Sequence, residues 1–311
     1  MTRVGDYEVI ETIGDGNHGV YHTAKPPARL GLADPIVTLK VLDHYGSADD
    51  FKRITNELRL LHSLRSPHLV ELLDAGSVDG RMYLATRHYP AGALDQADES
   101  LSRSARVAII ADVARGANDM HDVGVAHRDI NPSNIFIDKT RGRLADLGLA
   151  QTLAGATATI GTGPIGSLQF IDPDLVWGGK ASRSTDIWSV GITLHCALSD
   201  IDPFGEIPTD NLLAAFRHVV HTPPTLDHSF EPELLGVIHR CLAPLDKRFE
   251  TALEVATALD DVSRQLANNE AKRATTPTSD NDPVQISQNQ TNPTATADAS
   301  PADAGTEGTP S

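Results

Sequence analysis

The chain has 311 residues, enough for about two domains, and its 42 acidic residues outnumber 26 basic ones, giving a formal net charge of -16. This charge excludes a general affinity for nucleic-acid backbones, which requires a surplus of Lys and Arg. It does not exclude a nucleotide in a locally positive pocket. No run is apolar enough to span a membrane, and the N-terminus lacks a signal-peptide apolar region, so we expect a cytoplasmic protein.

Two cysteines, Cys196 and Cys241, lie in apolar, helix-like runs without metal-ligand spacing. They are predicted to be buried thiols in a reducing compartment.

The first predicted elements are two strands on either side of a glycine-rich turn. Residues 7–13 mix β-branched and aromatic side chains, as strands do, and Val20 and Tyr21 begin a second strand after the run GDGNHG at 14–19. Glycines let backbone N–H groups approach phosphate oxygens, although such a turn alone is often only a hairpin. The strand that follows the glycines disfavours a dinucleotide-binding fold, which would have a helix there.

A strand with one lysine and an amphipathic helix come next. Residues 36–42 are apolar around Lys40, and a lone Lys in a strand is ordinarily an edge or snorkelling residue. From residue 49 to 65 apolar side chains recur at steps of three and four, which predicts a helix that contains Glu57. Residues 81–86 predict a further strand.

The most informative stretch reads HRDINPSN from residue 127, then an apolar run, a turn and LADLG. The turn lets two short strands pair as a hairpin, which would bring Asp129, Asn134 and Asp146 to one cleft. Carboxylate and amide oxygens suit Mg²⁺, which proteins hold with few groups together with substrate phosphates. The second Asp remains to orient a hydroxyl nucleophile. Alone, each Asp would more often be a turn or cap residue.

The remaining chain predicts a central helix and two polar segments. Residues 149–166 are rich in Thr and Gly and are predicted to be mobile. Residues 184–198 are apolar on every face, which predicts a helix buried at the centre of a domain. After Leu266 the composition shifts toward Thr, Pro, Ala, Asn and Asp, which predicts a disordered acidic tail.

In this order the motifs resemble those of the protein kinase family. The glycine turn, VTLK, HRDINPSN, DLG and STDIWSVG are similar to the family's G-x-G-x-x-G, V-A-I-K, H-R-D-x-x-x-x-N, D-F-G and S-D-I-W-S-L-G. The resemblance covers roughly residues 7–265 and implies the bilobal α+β protein-kinase fold. An antiparallel β small lobe at 1–88 and a mainly α large lobe at 89–266 would precede the tail at 267–311.

The resemblance implies an ATP- and Mg²⁺-dependent enzyme that transfers the γ-phosphate to Ser or Thr hydroxyls of proteins. Asp129 would accept the hydroxyl proton, and Lys40, held by Glu57, would bind the α- and β-phosphates. Asn134 and Asp146 would hold Mg²⁺. Asn131 stands where Ser/Thr kinases usually carry Lys and would offer the γ-phosphate a neutral amide donor. The implied ATP-binding residues are Gly14, Asp15, Gly16, Asn17, His18, Gly19, Tyr21, Lys40, Thr86, Arg87, His88 and Tyr89. Tyr21 replaces the family's usual Val.

The resemblance also implies regulation by phosphorylation. Residues 149–166 resemble an activation segment, and Arg128 would pair with a phosphorylated residue in it. The implied regulatory residues are Arg128, Thr157, Thr159, Thr162 and Ser167. The end of the segment, GSLQFIDPD, is similar to G-T-x-x-Y-x-A-P-E, with Asp172 and Asp174 in place of Ala and Glu. Arg248 is predicted to pair with Asp174.

Two other classes remain open. A pseudokinase scaffold is favoured by Asn131, Tyr21, the Leu in DLG and the altered end of the activation segment. A small-molecule phosphotransferase shares the Asp-Asn-Asp arrangement but typically lacks the activation segment and the D-I-W helix. Expected partners are protein substrates and ATP, with either a partner or phosphorylation sites on the C-terminal tail, and with no nucleic acid and no membrane span.

Overall fold

The computed structural model describes residues 3–16, 19–42, 58, 62–98, 100–146, 165–176 and 180–275. Most of the helix predicted over 49–65, including Glu57, lies outside these residues. Asn17, His18 and the three candidate threonines at 157, 159 and 162 also lie outside them.

The N-terminal part is a six-stranded antiparallel sheet with the order β1-β2-β3-β4-β6-β5. Its strands are β1 Arg3–Val4, β2 Tyr7–Gly16, β3 Gly19–Lys25, β4 Val37–Leu42, β5 Leu72–Val78 and β6 Arg81–Arg87. Apolar side chains of β2, β3, β4 and β6 form its core, among them Tyr7, Leu39 and Tyr83. Lys40 is the one residue of β4 that is not buried, and it pairs with Tyr21 on β3 and Leu84 on β6. The strand register therefore sets Lys40 and Tyr21 side by side.

The C-terminal part is mainly helical, as predicted, and contains one small hairpin. Its elements are α1 Arg103–Asp122, β7 Ile135–Asp138, β8 Arg141–Leu144, α2 Pro173–Val176, α3 Arg183–Cys196, α4 Leu212–His221, α5 Pro232–Cys241 and α6 Ala252–Thr275. Together with the antiparallel sheet they form the bilobal α+β fold. None of the helices in the described ranges combines the length and apolarity that crossing a membrane requires.

Helix α3 lies at the centre of the large lobe, as its apolar sequence predicts. Ile187, Val190 and Leu194 share one core with side chains of α1, α5 and α6. A Cβ on Gly191 would lie 2.6 Å from the Cβ of Cys241, so α3 and α5 approach too closely for a larger residue. Neither cysteine forms a disulfide: Cys241 is buried, as expected, whereas Cys196 is only partly buried.

Helix α6 corrects the predicted start of the tail. The composition predicted disorder from residue 267, but the helix continues to Thr275. The carboxylate of Glu270 accepts hydrogen bonds from the Ser104 backbone N–H at 3.1 Å and from its hydroxyl at 2.6 Å. Ala, Glu, Lys and Arg in this stretch are also good helix formers. The predicted tail began too early because the last part of the helix is polar, and hydrogen bonds stabilise it instead of apolar burial.

Strand β8 joins the two lobes next to the cleft between them. Val70 donates its N–H to the Leu144 carbonyl at 2.9 Å, and Leu144 donates to the His68 carbonyl at 2.9 Å. These bonds hold the segment that leads into β5 against β8. The end of β8 is therefore fixed relative to both lobes just before Asp146.

Candidate active site

The β7–β8 hairpin brings the polar residues of the predicted site together. Ile135 pairs with Leu144 at its open end, and Lys139 in the turn has a left-handed φ of 60°. Beyond the last pair, Ala145 donates its N–H to the Asn134 carbonyl at 2.8 Å. The residues before β7 and after β8 thus lie side by side, which is the convergence that the sequence pattern predicted.

Two amide side chains hold the carboxylate of Asp129. Asn131 Nδ2 donates to Oδ1 at 2.9 Å, and Asn134 Nδ2 donates to Oδ2 at 2.9 Å. Both amides also donate to the Asp129 carbonyl, at 3.2 Å and 2.8 Å. Burial raises the pKa of Asp129, and the hydrogen bonds from the amides act in the opposite direction. The carboxylate is fixed in orientation by both of its oxygens.

Asn131 is itself locked in place. It is buried, and its Oδ1 accepts hydrogen bonds from the Ser133 backbone N–H at 3.0 Å and the Ser133 hydroxyl at 2.6 Å. The sequence suggested that its amide faces the γ-phosphate. In the structure the amide N–H groups are directed at Asp129.

Asp186, at the start of α3, supports the backbone of residues 127–134, which we call the catalytic loop after the family motif. Its buried carboxylate accepts hydrogen bonds from the backbone N–H groups of His127 at 2.7 Å and Arg128 at 2.8 Å. His121 Nε2 of α1 lies 2.7 Å from the same carboxylate. Arg128 has a left-handed φ of 73°, a costly conformation for a residue with a side chain. The paired N–H groups help to hold that conformation.

His127 connects the catalytic loop to the residue before Asp146. Its Nε2 donates to the Ala145 carbonyl at 2.9 Å, and its Nδ1 accepts from the Asp129 N–H at 3.3 Å. The fully buried ring therefore contacts the backbone through both of its nitrogens. It fixes the distance between the two acidic positions.

Asp146 is engaged by two side chains of the small lobe. Lys40 Nζ lies 2.8 Å from Oδ1, and the Tyr21 hydroxyl donates to Oδ2. The ammonium also lies 4.8 Å from the centroid of the Tyr21 ring. Burial, followed by the charge of Asp146, raises the pKa of Tyr21, so the phenol remains a donor. Lys40 and Tyr21 join the β sheet directly to the acidic centre.

A cleft of about 500 Å³ extends from these residues toward β6. Its walls include Thr38, Thr86, Arg87 and Tyr89 as well as a set from the β7–β8 region that the sequence analysis did not single out: Phe136, Leu144 and Ala145. The continuous apolar run at 135–137 was the sequence signal for Phe136, which stacks on Tyr89 with ring centroids 6.1 Å apart.

One residue of the predicted ATP-binding set, His88, lies outside the cleft lining. Its Nδ1 lies 3.1 Å from the Thr38 hydroxyl, and burial lowers the pKa of His88. Gly14 and Gly16 end β2, and Gly19 begins β3, where a Cβ would lie 2.2 Å from the Val41 carbonyl oxygen. Glycine is therefore required at position 19.

The donors near Asp146 suit a magnesium ion. Asn134 directs its Nδ2 at Asp129, which leaves its Oδ1 as the atom that could bind a cation together with the Asp146 carboxylate. Within the described ranges no cluster of three or more His, Cys, Asp or Glu side chains could hold a metal by itself. One carboxylate and one amide match Mg²⁺, which relies on substrate phosphates and water for its other ligands.

Arg248 anchors the end of the predicted activation segment through an unexpected partner. Its guanidinium pairs with both oxygens of the fully buried Asp172 and reaches Asp174 only at 3.4 Å. The predicted pairing with Asp174 is therefore the minor contact. Burial raises the pKa of Asp172 despite the guanidinium beside it. Ser167 lies just before, in a short 3-10 helix over Ile165–Phe170.

Comparison with known proteins assigns this arrangement to a family. The chain matches the protein kinase domain over residues 7–278, and it therefore belongs to the protein kinase family.

Its relatives include bacterial proteins named serine/threonine-protein kinases. PknK of Mycobacterium tuberculosis is 30% identical over an alignment of 270 residues that covers 83% of this chain and 24% of PknK. PknB of Mycolicibacterium smegmatis is 28% identical over an alignment of 268 residues that covers 81% of this chain and 42% of PknB. The chain thus spans less than half the length of these two relatives.

Proposed function

We propose that the chain is a serine/threonine protein kinase that uses ATP and Mg²⁺. The observation that carries the proposal is the orientation of Asp129 by two amides, within electrostatic reach of Asp146, which lines a cleft together with Lys40. The cleft has room for a nucleotide at about 500 Å³. The serine/threonine relatives support the choice of acceptor.

Asp129 acts as the base. Its carboxylate accepts the proton of a Ser or Thr hydroxyl as the hydroxyl oxygen attacks the γ-phosphorus, and the leaving group is ADP. Asn131 and Asn134 keep the carboxylate in one orientation, so little reorganisation is needed when the hydroxyl arrives.

Lys40 and the polar side chains of the cleft bind the nucleotide. Lys40 contacts the α- and β-phosphates, and Glu57, outside the described residues, is proposed to hold it there. Asn134 and Asp146 would hold Mg²⁺, which neutralises phosphate charge when bound. The backbone after Thr86 would contact the adenine. The division into lobes near residue 88 is part of the proposal.

Autophosphorylation of the segment after Gly148 is also proposed. Thr157, Thr159 and Thr162 are the candidate sites, and Arg128, beside the catalytic Asp, would pair with the added charge. Mass spectrometry of the chain after incubation with ATP and Mg²⁺ should find phosphate on this segment. A Lys40→Met chain treated in the same way should carry none.

The test of the function is transfer of labelled phosphate from ATP to peptide pools that offer Ser, Thr or Tyr as the only acceptor. We expect transfer to the Ser and Thr pools, dependence on Mg²⁺, and loss with Lys40→Met. Transfer only to small-molecule hydroxyls would instead favour the phosphotransferase alternative. Nucleotide binding without transfer to any acceptor would favour a pseudokinase.

A further inference from the structure

Tyr21 contacts the proposed metal ligand directly. Its hydroxyl donates to Asp146 Oδ2 while Lys40 occupies Oδ1 at 2.8 Å. Tyr21, near the start of β3, and Asp146, just after β8, lie 125 positions apart in the sequence. Protein kinases usually carry Val at the position of Tyr21, and Val has no group that could make this bond.

The fold directs Tyr21 to this place. Tyr21 pairs with Lys40 on one side and with Gly14 on the other, in a register that is shifted next to Gly14. The Lys40 ammonium lies 4.8 Å from the ring centroid, so the ring is held by a cation–π contact as well as by its hydroxyl. The phenol is therefore a built contact of the cleft and not a mobile surface group.

Each carboxylate oxygen of Asp146 already has a contact with which a cation has to compete. The ammonium beside Oδ1 repels a divalent ion, so Oδ2 is the oxygen better placed to bind one. The O–H of Tyr21 directs its positive end at Oδ2. A cation that binds Oδ2 competes with this hydrogen bond for the electron density of the same oxygen, and a hydrogen bond to a carboxylate is stronger than one between neutral groups.

We propose that Tyr21 competes with the metal for Asp146 and thereby lowers the metal affinity of the nucleotide complex. This inference rests on the proposed function, because it takes Asp146 as the ligand of Mg²⁺. Tyr21 acts through Asp146 as a positioning residue. It holds the carboxylate when the metal is absent and releases it when the metal binds.

The test compares wild type with Tyr21→Phe, which keeps the ring over Lys40 and removes the hydroxyl. The dissociation constant of a non-hydrolysable ATP analogue is measured by calorimetry in EDTA and in saturating Mg²⁺. The dissociation constant in EDTA divided by the constant in Mg²⁺ gives the coupling between metal and nucleotide. We expect this ratio to be about tenfold larger in Tyr21→Phe, the size of one hydrogen bond to a charged group.

Tyr83→Phe is the matched control. Its hydroxyl also donates to an Asp of the small lobe, Asp74 at 3.3 Å, but it lies outside the cleft lining. This variant should keep the wild-type ratio. Thermal unfolding of all three chains shows whether each is folded, and Tyr21→Val provides a second removal of the hydroxyl if Tyr21→Phe is unstable.

An unchanged or smaller ratio in Tyr21→Phe and Tyr21→Val would overturn the proposal, because the hydroxyl would then be neutral toward the metal or assist it. An unchanged ratio that comes with an equal gain of nucleotide affinity in EDTA and in Mg²⁺ would show that the phenol opposes the phosphates and not the metal. These outcomes leave the proposed function intact. A wild-type chain that binds no nucleotide in either condition would contradict the proposed function and this inference together.

Discussion

At the scale of single residues, the site depends on how Asn131 is used. A Lys at this position could reach a phosphate, whereas the Asn131 amide donates to the Asp129 carboxylate and carbonyl. Its own oxygen is fully engaged by Ser133. Asn131 therefore contacts the proposed base directly, and its N–H groups are directed at Asp129.

Replacing Asn131 by Ala should lower kcat by about 10²-fold, because small misplacements of a reacting group have effects of this size. KM for ATP should change little, since Asn131 does not line the cleft. Steady-state kinetics on a peptide substrate measure both constants. Ser133→Ala is the control: it removes one donor to Asn131 but leaves the backbone N–H at 3.0 Å, so its loss should be much smaller. Equal losses in the two variants would contradict this role.

Sequence and structure agree best where a residue's role depends on near neighbours. The catalytic-loop residues converge because a four-residue strand, a tight turn and a second strand are all local patterns. The contacts of Tyr21 and Asp172 were missed because their partners lie 125 and 76 positions away. No local pattern specifies such a partner. The orientation of the Asn131 amide was missed because its N–H groups could donate equally well to the Asp129 carboxylate or to a phosphate.

At the scale of elements, strands β2, β3, β4 and β6 and helix α3 follow directly from their apolar and β-branched composition. The end of α6 does not, since its last turns bury little and depend on the Ser104–Glu270 contact. The end of the activation segment is a third case. There the buried Asp172–Arg248 pair is the main contact, beside the expected but weaker contact to Asp174, which is 44% exposed.

Asp172→Asn should reduce the free energy of unfolding by about 3–5 kcal/mol, because it leaves the buried Arg248 guanidinium without its counter-charge. Asp174→Asn should cost less than about 1 kcal/mol, as expected for an exposed ion pair. Urea unfolding of both variants and wild type tests the difference. Similar losses, or a larger loss for Asp174→Asn, would show that the anchor is assigned to the wrong acid.

At the scale of the whole molecule, the fold places the proposed nucleotide cleft between a sheet and a helical lobe that meet at β8. The resemblance in sequence predicted this division, and the antiparallel sheet and helical lobe confirm it. The exact boundary at residue 88 stays a prediction. The predicted start of the tail has to be moved, since helix α6 continues beyond residue 266 to Thr275.

A chain that ends at Thr275 should therefore unfold at the same temperature as the full chain. A chain that ends at Leu266, the boundary drawn from composition, should lose about 1–2 kcal/mol, because Ser104 loses its hydrogen bonds to Glu270. Glu270→Ala in the full chain should reproduce most of that loss. If truncation at 266 has no effect on thermal unfolding, the final turns of α6 contribute nothing to the lobe.

The most direct test of the account is phosphate transfer by Asp129→Asn at saturating ATP and Mg²⁺. Asn keeps the shape of the side chain but cannot accept the hydroxyl proton. We expect kcat to fall by about 10²–10⁴-fold, the usual contribution of a general base, while binding of a non-hydrolysable ATP analogue is nearly unchanged. Wild-type turnover by Asp129→Asn would contradict the assignment of Asp129 as the base and, with it, the proposed mechanism.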